Sequence, residues 1–305
     1  MATSTPGART RAPRTARPNR LHLLPRPRRR SRVRARVFGG FACATIGVAF
    51  FLPLLWAFGN SFRDNGSMSD YISNLSWRTL VPTAPTLANY AHVLQGSFGL
   101  ALLNSLIVAA ATVALGLAVS VPAAFTLAVI PFRGSAVVFA IVVISFLVPF
   151  DAISIPLSSL FRDWNLQNSY PGLILPGIGN GLAVFLLRQF FLGVPRTLID
   201  AGRIDGLGWW GVLLRIYLPL SGPALIGAAL TLFLFQWQAY LWPLLIGTDN
   251  QHLLAPIALS DLTGAHTIDY GQIFAGGMIL TAVPLLLILQ FQRRFVQSIS
   301  TTGLN

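Results

Sequence analysis

The sequence contains neither lysine nor glutamate, so its 22 basic residues are all arginine and its nine acidic residues are all aspartate. Charged residues make up only 10% of the chain, whereas a soluble domain contains about 25%. The mean hydropathy of +0.64 agrees with this deficit. Without lysine the chain cannot form a Walker-type phosphate loop, and no pairing of a nucleophile with a general base is evident. The composition therefore predicts a membrane protein that is not an enzyme.

Cysteine is almost absent as well. The single residue, Cys43, lies in an apolar run, so neither a disulfide within the chain nor a cysteine metal site can form. The four histidines are scattered over loops and the amino-terminal tail, at His22, His92, His252 and His266. We therefore expect no bound metal and no cofactor.

Positive charge is concentrated at the amino terminus. The net charge is +13, and twelve of the 22 arginines precede residue 37. Residues 1–36 show no apolar period, and their arginine, proline, serine and threonine content predicts a disordered tail. Such a cluster can bind nucleic acid or an anionic membrane surface. Because it adjoins an apolar span, we expect membrane lipid and no nucleic acid.

Long uncharged runs predict six transmembrane helices. The first, roughly Val37–Gly59, is too long for the apolar part of a signal peptide, which is the competing interpretation. Residues 60–98 read as an external loop. The other five spans are predicted at roughly Leu100–Ile130, Ala136–Leu157, Tyr170–Leu187, between Arg215 and Asp249, and between Asp269 and Arg293. The predicted divisions are 1–36 (tail), 37–99 (first span and external loop), 100–296 (membrane core) and 297–305 (tail).

The arginines also predict the orientation. An even number of spans places both termini on one side, together with Arg133 and the arginines between Arg188 and Arg215. The other side holds only Arg63, Arg78 and Arg162. The side richer in arginine is cytoplasmic by the positive-inside rule. We therefore expect both termini in the cytoplasm.

A polar loop from Pro195 to Pro219 interrupts the apolar pattern and has internal order. Pro195 suits the start of a helix, and Thr197 is a candidate cap. Gly206 can adopt the left-handed conformation that ends a helix. Trp209–Trp210 suits a membrane interface. The loop therefore predicts a short amphipathic helix, a glycine turn and a return to the membrane, and an exposed helix of this kind can dock a partner.

This loop resembles the EAA loop of permease subunits of bacterial ATP-binding-cassette importers. That motif reads Glu-Ala-Ala, three residues, Gly, nine residues, then Ile-x-Leu-Pro. The matching residues here are Asp200, Ala201 and Gly202, then Asp205 and Gly206 as the common Asp-Gly pair, then Ile216, Leu218 and Pro219. The first acid is shortened to aspartate and the second alanine is replaced by glycine. Since glycine disfavours helix by roughly 0.5–1 kcal/mol relative to alanine, we expect a somewhat less rigid docking helix.

The resemblance extends over about residues 85–303 and is to the MalG-like permeases of carbohydrate importers. The matching segments are TLANY (86–90), NSLIVA (104–109), FRG (132–134), VPFDAISIPLSSLF (148–161), FLLRQFF (185–191) and LWPLL (241–245). Two departures stand out. Trp237-Gln238 replaces the common Trp-Asn, and the chain ends at Thr302-Gly303-Leu304-Asn305 without the family's Lys-Gly tail.

The resemblance implies an all-α membrane protein with six spans, the MetI-like fold of type I importer permeases, and a cytoplasmic coupling helix. The coupling helix, which includes Arg203, would sit in a cleft on an ATPase subunit, where Asp200 would pair with a basic group. The alternative for Asp200 is a solvated residue favoured by the helix dipole. The implied partners are a second, different permease, two ATPase subunits that bind ATP, and an extracytoplasmic solute-binding protein, all at the bacterial cytoplasmic membrane.

Four residues are candidates for the translocation pathway. Asp151 is the one acid well inside an apolar run, so it would face a cavity or a partner, or else lie at the outer interface. Gln236, Trp237 and Gln238 can stack on and bond to a sugar, or they can serve interhelical packing.

The solute expected from the resemblance is a sugar or oligosaccharide. A polyol or glycerophosphodiester would use the same machinery. An ion-coupled secondary transporter would need embedded ionisable groups and internal repeats. The sequence offers one candidate acid and no clear repeat, and both this interpretation and a non-transporting scaffold leave the EAA-like loop unexplained.

Overall fold

The computed structural model describes residues 29–64, 84–263 and 268–302, and it describes side chains over 38–64, 84–263 and 268–292. Within these ranges the regular structure is entirely helical. The chain divides into two compact units, Met1–Pro53 and Leu54–Asn305. The predictions for residues 1–28, for Arg78 and for His266 lie outside the described residues.

The helices differ widely in length, from 33 residues to six residues. In chain order they are α1 (Arg29–Ser61), α2 (Ala88–Gln95), α3 (Ser97–Val129), α4 (Ser135–Leu147), α5 (Phe150–Asp163), α6 (Tyr170–Ile178), α7 (Gly181–Leu192), α8 (Arg196–Ile204), α9 (Trp209–Leu220), α10 (Gly222–Trp237), α11 (Leu241–Ile246), α12 (Ala255–Asp261) and α13 (Tyr270–Thr302).

Three continuous helices are long and apolar enough to cross a membrane: Phe38–Ser61 of α1, Ser97–Val129, and Tyr270–Gln292 of α13. Three further pairs of helices qualify only jointly, and they bend by 92° between α4 and α5, 42° between α6 and α7, and 85° between α9 and α10. The six predicted spans are reached when each bent pair counts as one.

The third span was predicted as one continuous helix, and this is wrong. Helix α4 ends at Leu147, and Pro149 precedes the first residue of α5. Proline lacks an amide proton and forces the preceding residue into extended backbone. Accordingly Val148 has a ψ of 121°, and the chain turns by 92° at this point.

Helix continues into both segments that were predicted as tails. Helix α1 begins at Arg29, before the predicted boundary at residue 37, and α13 continues to Thr302, past the boundary at residue 297. Arginine is a good helix former, so the end of an apolar run marks where the lipid-compatible stretch ends and does not mark where the helix ends.

The core lies where α3, α7 and α10 meet. Its buried side chains include Phe125 on α3, Leu187 and Phe191 on α7, and Leu232 on α10. Because α3 is buried at intervals along its whole length, the shorter helices pack around it.

Two asparagines in the segments TLANY and NSLIVA act as backbone clamps. Asn89 donates to the carbonyls of Ser61 and Arg63, at 2.9 and 2.7 Å. Asn104 donates to the carbonyls of Gln251 and Leu253, at 2.7 and 3.0 Å. Each side chain amide therefore holds a segment that is distant in the chain.

Asn104 also accepts a hydrogen bond from the Tyr170 hydroxyl at 2.8 Å, and it is fully buried. We predict that Asn104→Ala lowers the thermal unfolding midpoint strongly, since every buried group left without a partner costs about 1–3 kcal/mol. Tyr170→Phe removes one hydroxyl and should lower the midpoint less. Equal midpoints for the two purified variants in detergent would contradict the clamp.

Candidate functional site

The polar loop begins with α8, a helix of nine residues. Pro195 stands directly before the first helical residue, with a φ of −58°, and its carbonyl accepts from the Leu198 amide at 3.2 Å. The prediction that Thr197 caps this helix is wrong. Because Pro195 starts the helix at Arg196, Thr197 lies inside the first turn, and no side chain caps this end.

The end of α8 is a Schellman motif. The Leu207 amide donates to the Gly202 carbonyl at 2.9 Å, and the Gly206 amide donates to the Arg203 carbonyl at 3.1 Å. Gly206 has a φ of +82°, which confirms the predicted left-handed turn. This pair of bonds is the standard way for a glycine to satisfy the last carbonyls of a helix.

Gly202 is the buried residue of α8, and it lets α9 approach closely. A Cβ atom at this position would lie 2.7 Å from Cδ1 of Ile216 and 3.3 Å from Cδ1 of Leu207. Glycine in place of the motif's second alanine therefore has a packing consequence that the sequence comparison did not anticipate. Two motif positions, Gly202 and Ile216, are direct neighbours.

Arg203 bridges the turn that follows. Its guanidinium carbon lies 4.8 Å from the centre of the Trp209 ring, and its Nη1 donates to the Leu207 carbonyl at 3.4 Å. A cation over an aromatic face adds about 0.5–1 kcal/mol at an exposed site. Arg203, a predicted coupling residue, thus links α8 to α9.

The opposite face of α8 is exposed. It carries Asp200, Ala201 and the side chain of Ile204, which is 86% exposed; Asp205 in the following turn is exposed too. Within the described part of the chain Asp200 makes no ion pair. The loop therefore holds one face of a short helix in place and presents an acid beside a large apolar side chain on the other.

Helix α9 carries this loop onto the spans. Leu213–Tyr217 forms a π-helical turn, and the fully buried Tyr217 ring sits at its end. That ring packs edge-on against Phe125 of α3 and Phe191 of α7, at centroid distances of 5.1 and 5.4 Å. Ser221, at the 85° bend, donates its hydroxyl to the Tyr217 carbonyl. The loop therefore contacts two spans, α3 and α7, through the single residue Tyr217.

Arg188 is a second junction, which the sequence analysis did not single out, although it lies in the quoted segment FLLRQFF. Its Nε donates to the Leu127 carbonyl near the end of α3, at 3.2 Å. Its guanidinium carbon also lies 4.0 Å from the centre of the Phe139 ring on α4. One side chain of α7 therefore ties together the ends of α3 and α4.

The candidate pathway residues differ in their surroundings. Gln236 accepts from the Thr112 hydroxyl at 3.3 Å, and Trp237 Nε1 donates to the Leu280 carbonyl at 3.1 Å. Both are buried between helices, whereas Gln238 is exposed after the end of α10. Asp151 is exposed in the first turn of α5. It lies shortly after the bend at Pro149, and both alternatives for it, the pathway and the outer interface, stay predictions.

Comparison with known proteins defines the class. The family model described as "Binding-protein-dependent transport system inner membrane component" matches residues 116–301. The alginate-importing bacterial ABC transporter solved by crystallography contains a chain of the same fold, with a TM-score of 0.74, 19% identity, and coverage of 89% of this chain and 99% of that one.

Two curated relatives are similar in sequence to this chain over most of their length. The arabinooligosaccharides transport system permease protein AraQ of Halalkalibacterium halodurans is 34% identical over 267 residues, 85% of this chain and 94% of the relative. The trehalose transport system permease protein SugB of Mycobacterium tuberculosis is 29% identical over 255 residues, 82% of this chain and 90% of the relative. The chain belongs to the family of binding-protein-dependent transport system inner membrane components, and it has the all-α fold of an ABC importer permease.

The left-handed turn at Gly206 can be tested against a matched neighbour. A Cβ atom at Gly206 or at Gly208 would meet nothing within 4 Å, but Gly206 has a φ of +82° and Gly208 a φ of −72°. We predict that Gly206→Ala lowers the stability of the folded permease by about 1–2 kcal/mol, and that Gly208→Ala leaves it unchanged. Thermal unfolding of both purified variants measures the difference, and equal shifts would rule out backbone strain as the reason for glycine.

The Tyr217 junction gives a second matched pair. Removing a buried aromatic ring costs about 3–5 kcal/mol, so Tyr217→Ala should lower the unfolding midpoint severely. Tyr217→Phe keeps the ring between Phe125 and Phe191, and its midpoint should stay near that of the unmodified chain. A Phe variant as unstable as the Ala variant would show that the hydroxyl, and not the ring packing, makes the junction.

Proposed function

We propose that this chain is the membrane-spanning permease subunit of an ATP-driven, binding-protein-dependent importer for a sugar or oligosaccharide. Its family membership and its relatives for arabinooligosaccharides and trehalose support this solute class. ATP binding and hydrolysis belong to a separate subunit, and this chain supplies the docking helix. A polyol or a glycerophosphodiester is the alternative solute within the same machinery.

The observation that carries the proposal is the exposed face of α8. Ile204 is 86% exposed, and it lies beside Asp200, which makes no ion pair among the described residues. Because Gly202 packs toward Ile216 on the other side of α8, both side chains are available to a partner. Ile204 would enter the cleft of the ATPase subunit, and Asp200 would meet a basic group there. Such a pair combines an apolar anchor with a directional charge.

The packing on the buried side of α8 would transmit its movement to the spans. Displacement of α8 would push on Ile216 through the contact at Gly202. The same displacement would reach α3 and α7 through Tyr217. Since packed cores switch as rigid bodies, ATP-driven movement of the docked helix would tilt these spans between inward- and outward-facing states.

The proposed assembly needs further chains. The unit comprises a second, different permease, two ATPase subunits and an extracytoplasmic solute-binding protein, in the bacterial cytoplasmic membrane. The loop and both termini face the cytoplasm, because the arginine-rich segments lie on that side.

Among the candidate pathway residues, Asp151 and Gln238 have side chains free to meet solute, whereas Gln236 and Trp237 are engaged between helices.

Co-purification of the complex followed by a solute screen tests the importer assignment. We expect ATPase subunits and a second permease to accompany the tagged chain, and we expect sugars or oligosaccharides to stimulate ATP hydrolysis in the presence of the binding protein. Stimulation by a polyol or a glycerophosphodiester alone would select the alternative solute class. Uptake driven by an ion gradient without ATP would overturn the proposal.

The docking face itself is tested by substitution. Asp200→Arg and Ile204→Asp should each abolish ATP-dependent uptake and weaken co-purification of the ATPase, because each places an unmatched charge in the cleft. The amount of permease in the membrane should not change, since both side chains are exposed. Gly208→Ala, in the same loop but off this face, is the matched control and should transport normally. Normal uptake by both charged variants would contradict docking through α8.

A further inference from the structure

Trp242 joins three helices at one point. Its ring meets Phe150 and Phe161 of α5 edge-on, at centroid distances of 5.6 and 5.0 Å. Its Nε1 donates to the Gly172 carbonyl of α6 at 3.0 Å. That carbonyl needs a side-chain donor, because the residue one helical turn later, Pro176, has no amide proton. Trp242, which is itself buried on α11, therefore holds α5, α6 and α11 together.

A backbone bond and a common buried cluster strengthen this group of helices. The Asn168 amide, just before α6, donates to the Ile246 carbonyl at the end of α11, at 2.7 Å. The side chains of Phe161, Leu173 and Ile246 are buried in one cluster with Trp242. We call α5, α6 and α11 the Trp242 body.

A separate cluster surrounds Tyr217. It includes Leu187 of α7 and Leu232 of α10, and Phe139 of α4 packs against it. The Phe139 ring also stacks on Phe185 of α7, at a centroid distance of 6.1 Å. We call α4, α7, α9 and α10 the Tyr217 body.

Consecutive helices pass from one body to the other at three places, and the chain is not helical at any of them. Helices α4 and α5 are separated at Val148–Pro149 with a bend of 92°, and α6 and α7 at Gly179–Asn180 with a bend of 42°. Helices α10 and α11 are separated at Gln238–Tyr240. Each of these breaks therefore coincides with the boundary between the two bodies.

The contact across this boundary lacks polar bonds. Among the described side chains, no hydrogen bond joins a helix of one body to a helix of the other. Gly177 of α6 lies at the boundary, where a Cβ atom would be 2.7 Å from both Cγ2 of Thr112 and Oε1 of Gln236. At this point α6 meets α10 through a residue without a side chain, so no side chain of α6 interlocks with α10 there.

Helix α3 runs past both bodies without a break. Val108 is buried in the cluster around Trp242, and Phe125 is buried in the cluster around Tyr217. Since a helix rises 1.5 Å per residue, these two residues lie about 25 Å apart along α3. Helix α3 is therefore a continuous connection between the bodies.

We propose that the Trp242 body and the Tyr217 body are two separate units of the permease core, which bend relative to each other at the three breaks while α3 connects them. Displacement of α8 moves the Tyr217 body first, because α9 belongs to it, and changes the angle between the two bodies. Hinges of this kind are a few residues at the ends of helices that absorb the change in backbone angles. The displacement by ATP rests on the proposed function, whereas the division into two bodies does not.

Hydrogen exchange tests the division without nucleotide or solute. In the full complex, Trp242→Phe keeps the aromatic packing but leaves the Gly172 carbonyl without its donor, and Phe191→Leu removes the ring beside Tyr217. We expect Trp242→Phe to accelerate amide exchange about tenfold in α5, α6 and α11, and less than about twofold in α7 and α9. Phe191→Leu should give the reverse pattern. Similar acceleration in both bodies would overturn the proposal.

Distances between spin labels test the bend itself. In a Cys43→Ser complex, one pair of labelled cysteines joins the two bodies, at positions Leu192 of α7 and Leu244 of α11. Two control pairs each lie within one body, Leu192 with Leu214 and Leu244 with Ile155. The side chains at all four positions are exposed, so the labels do not disturb the packing of either body.

Between the nucleotide-free and the ATP-trapped complex, we expect the distance of the joining pair to shift and both control distances to stay constant. A constant joining distance in a complex that hydrolyses ATP, or a shift within either control pair, would show that the hinge is wrong. A labelled complex that does not hydrolyse ATP would contradict the proposed function instead, and the exchange experiment would still decide whether the core consists of two bodies.

Discussion

The packing of Tyr217 between Phe125 and Phe191 is the contact on which the rest of the loop depends. One ring from α9 touches α3 and α7, the two helices at the centre of the core. Edge-on aromatic pairs are directional, so the ring sets the angle at which α9 leaves the core as well as its position. Helix α9, positioned in this way, joins the end of the loop to the 85° bend at Ser221.

Several different interactions hold the loop in place. Backbone bonds and a left-handed glycine close the end of α8, Arg203 crosses the turn to Trp209, and Gly202 admits Ile216 without a gap. The exposed face of α8 is therefore presented at a defined orientation. A docking element that transmits force needs this property, since a flexible one would absorb the movement.

Much of this arrangement is readable from the sequence, and the failures have physical reasons. The membrane class, the number of apolar segments and the turn at Gly206 follow from composition, hydropathy and motif spacing. The break at Pro149 was missed because hydropathy is continuous across it, although the proline was visible. Thr197 was misassigned because Pro195 sets the start of α8 before any hydroxyl can cap it.

Contacts between residues that are distant in the chain could not be predicted from the sequence. Nothing along the chain predicts that Gly202 meets Ile216 or that Arg188 bonds to the end of α3, because both contacts join separate helices. Gln236 and Trp237 form hydrogen bonds to Thr112 and Leu280 on other helices, and the sequence could not identify these partners. Hydropathy finds the spans, and only packing shows which polar groups are already engaged.

We expect α8 and the core spans to move as one body. Pulsed electron resonance between spin labels at Leu198, which is exposed on α8 but off the docking face, and the exposed Val119 on α3 measures this directly in a Cys43→Ser complex with its ATPase. We expect the same distance within one permease in the nucleotide-free and ATP-trapped states. A distance that changes between these states would show that α8 moves independently of the spans, and would contradict coupling through Tyr217.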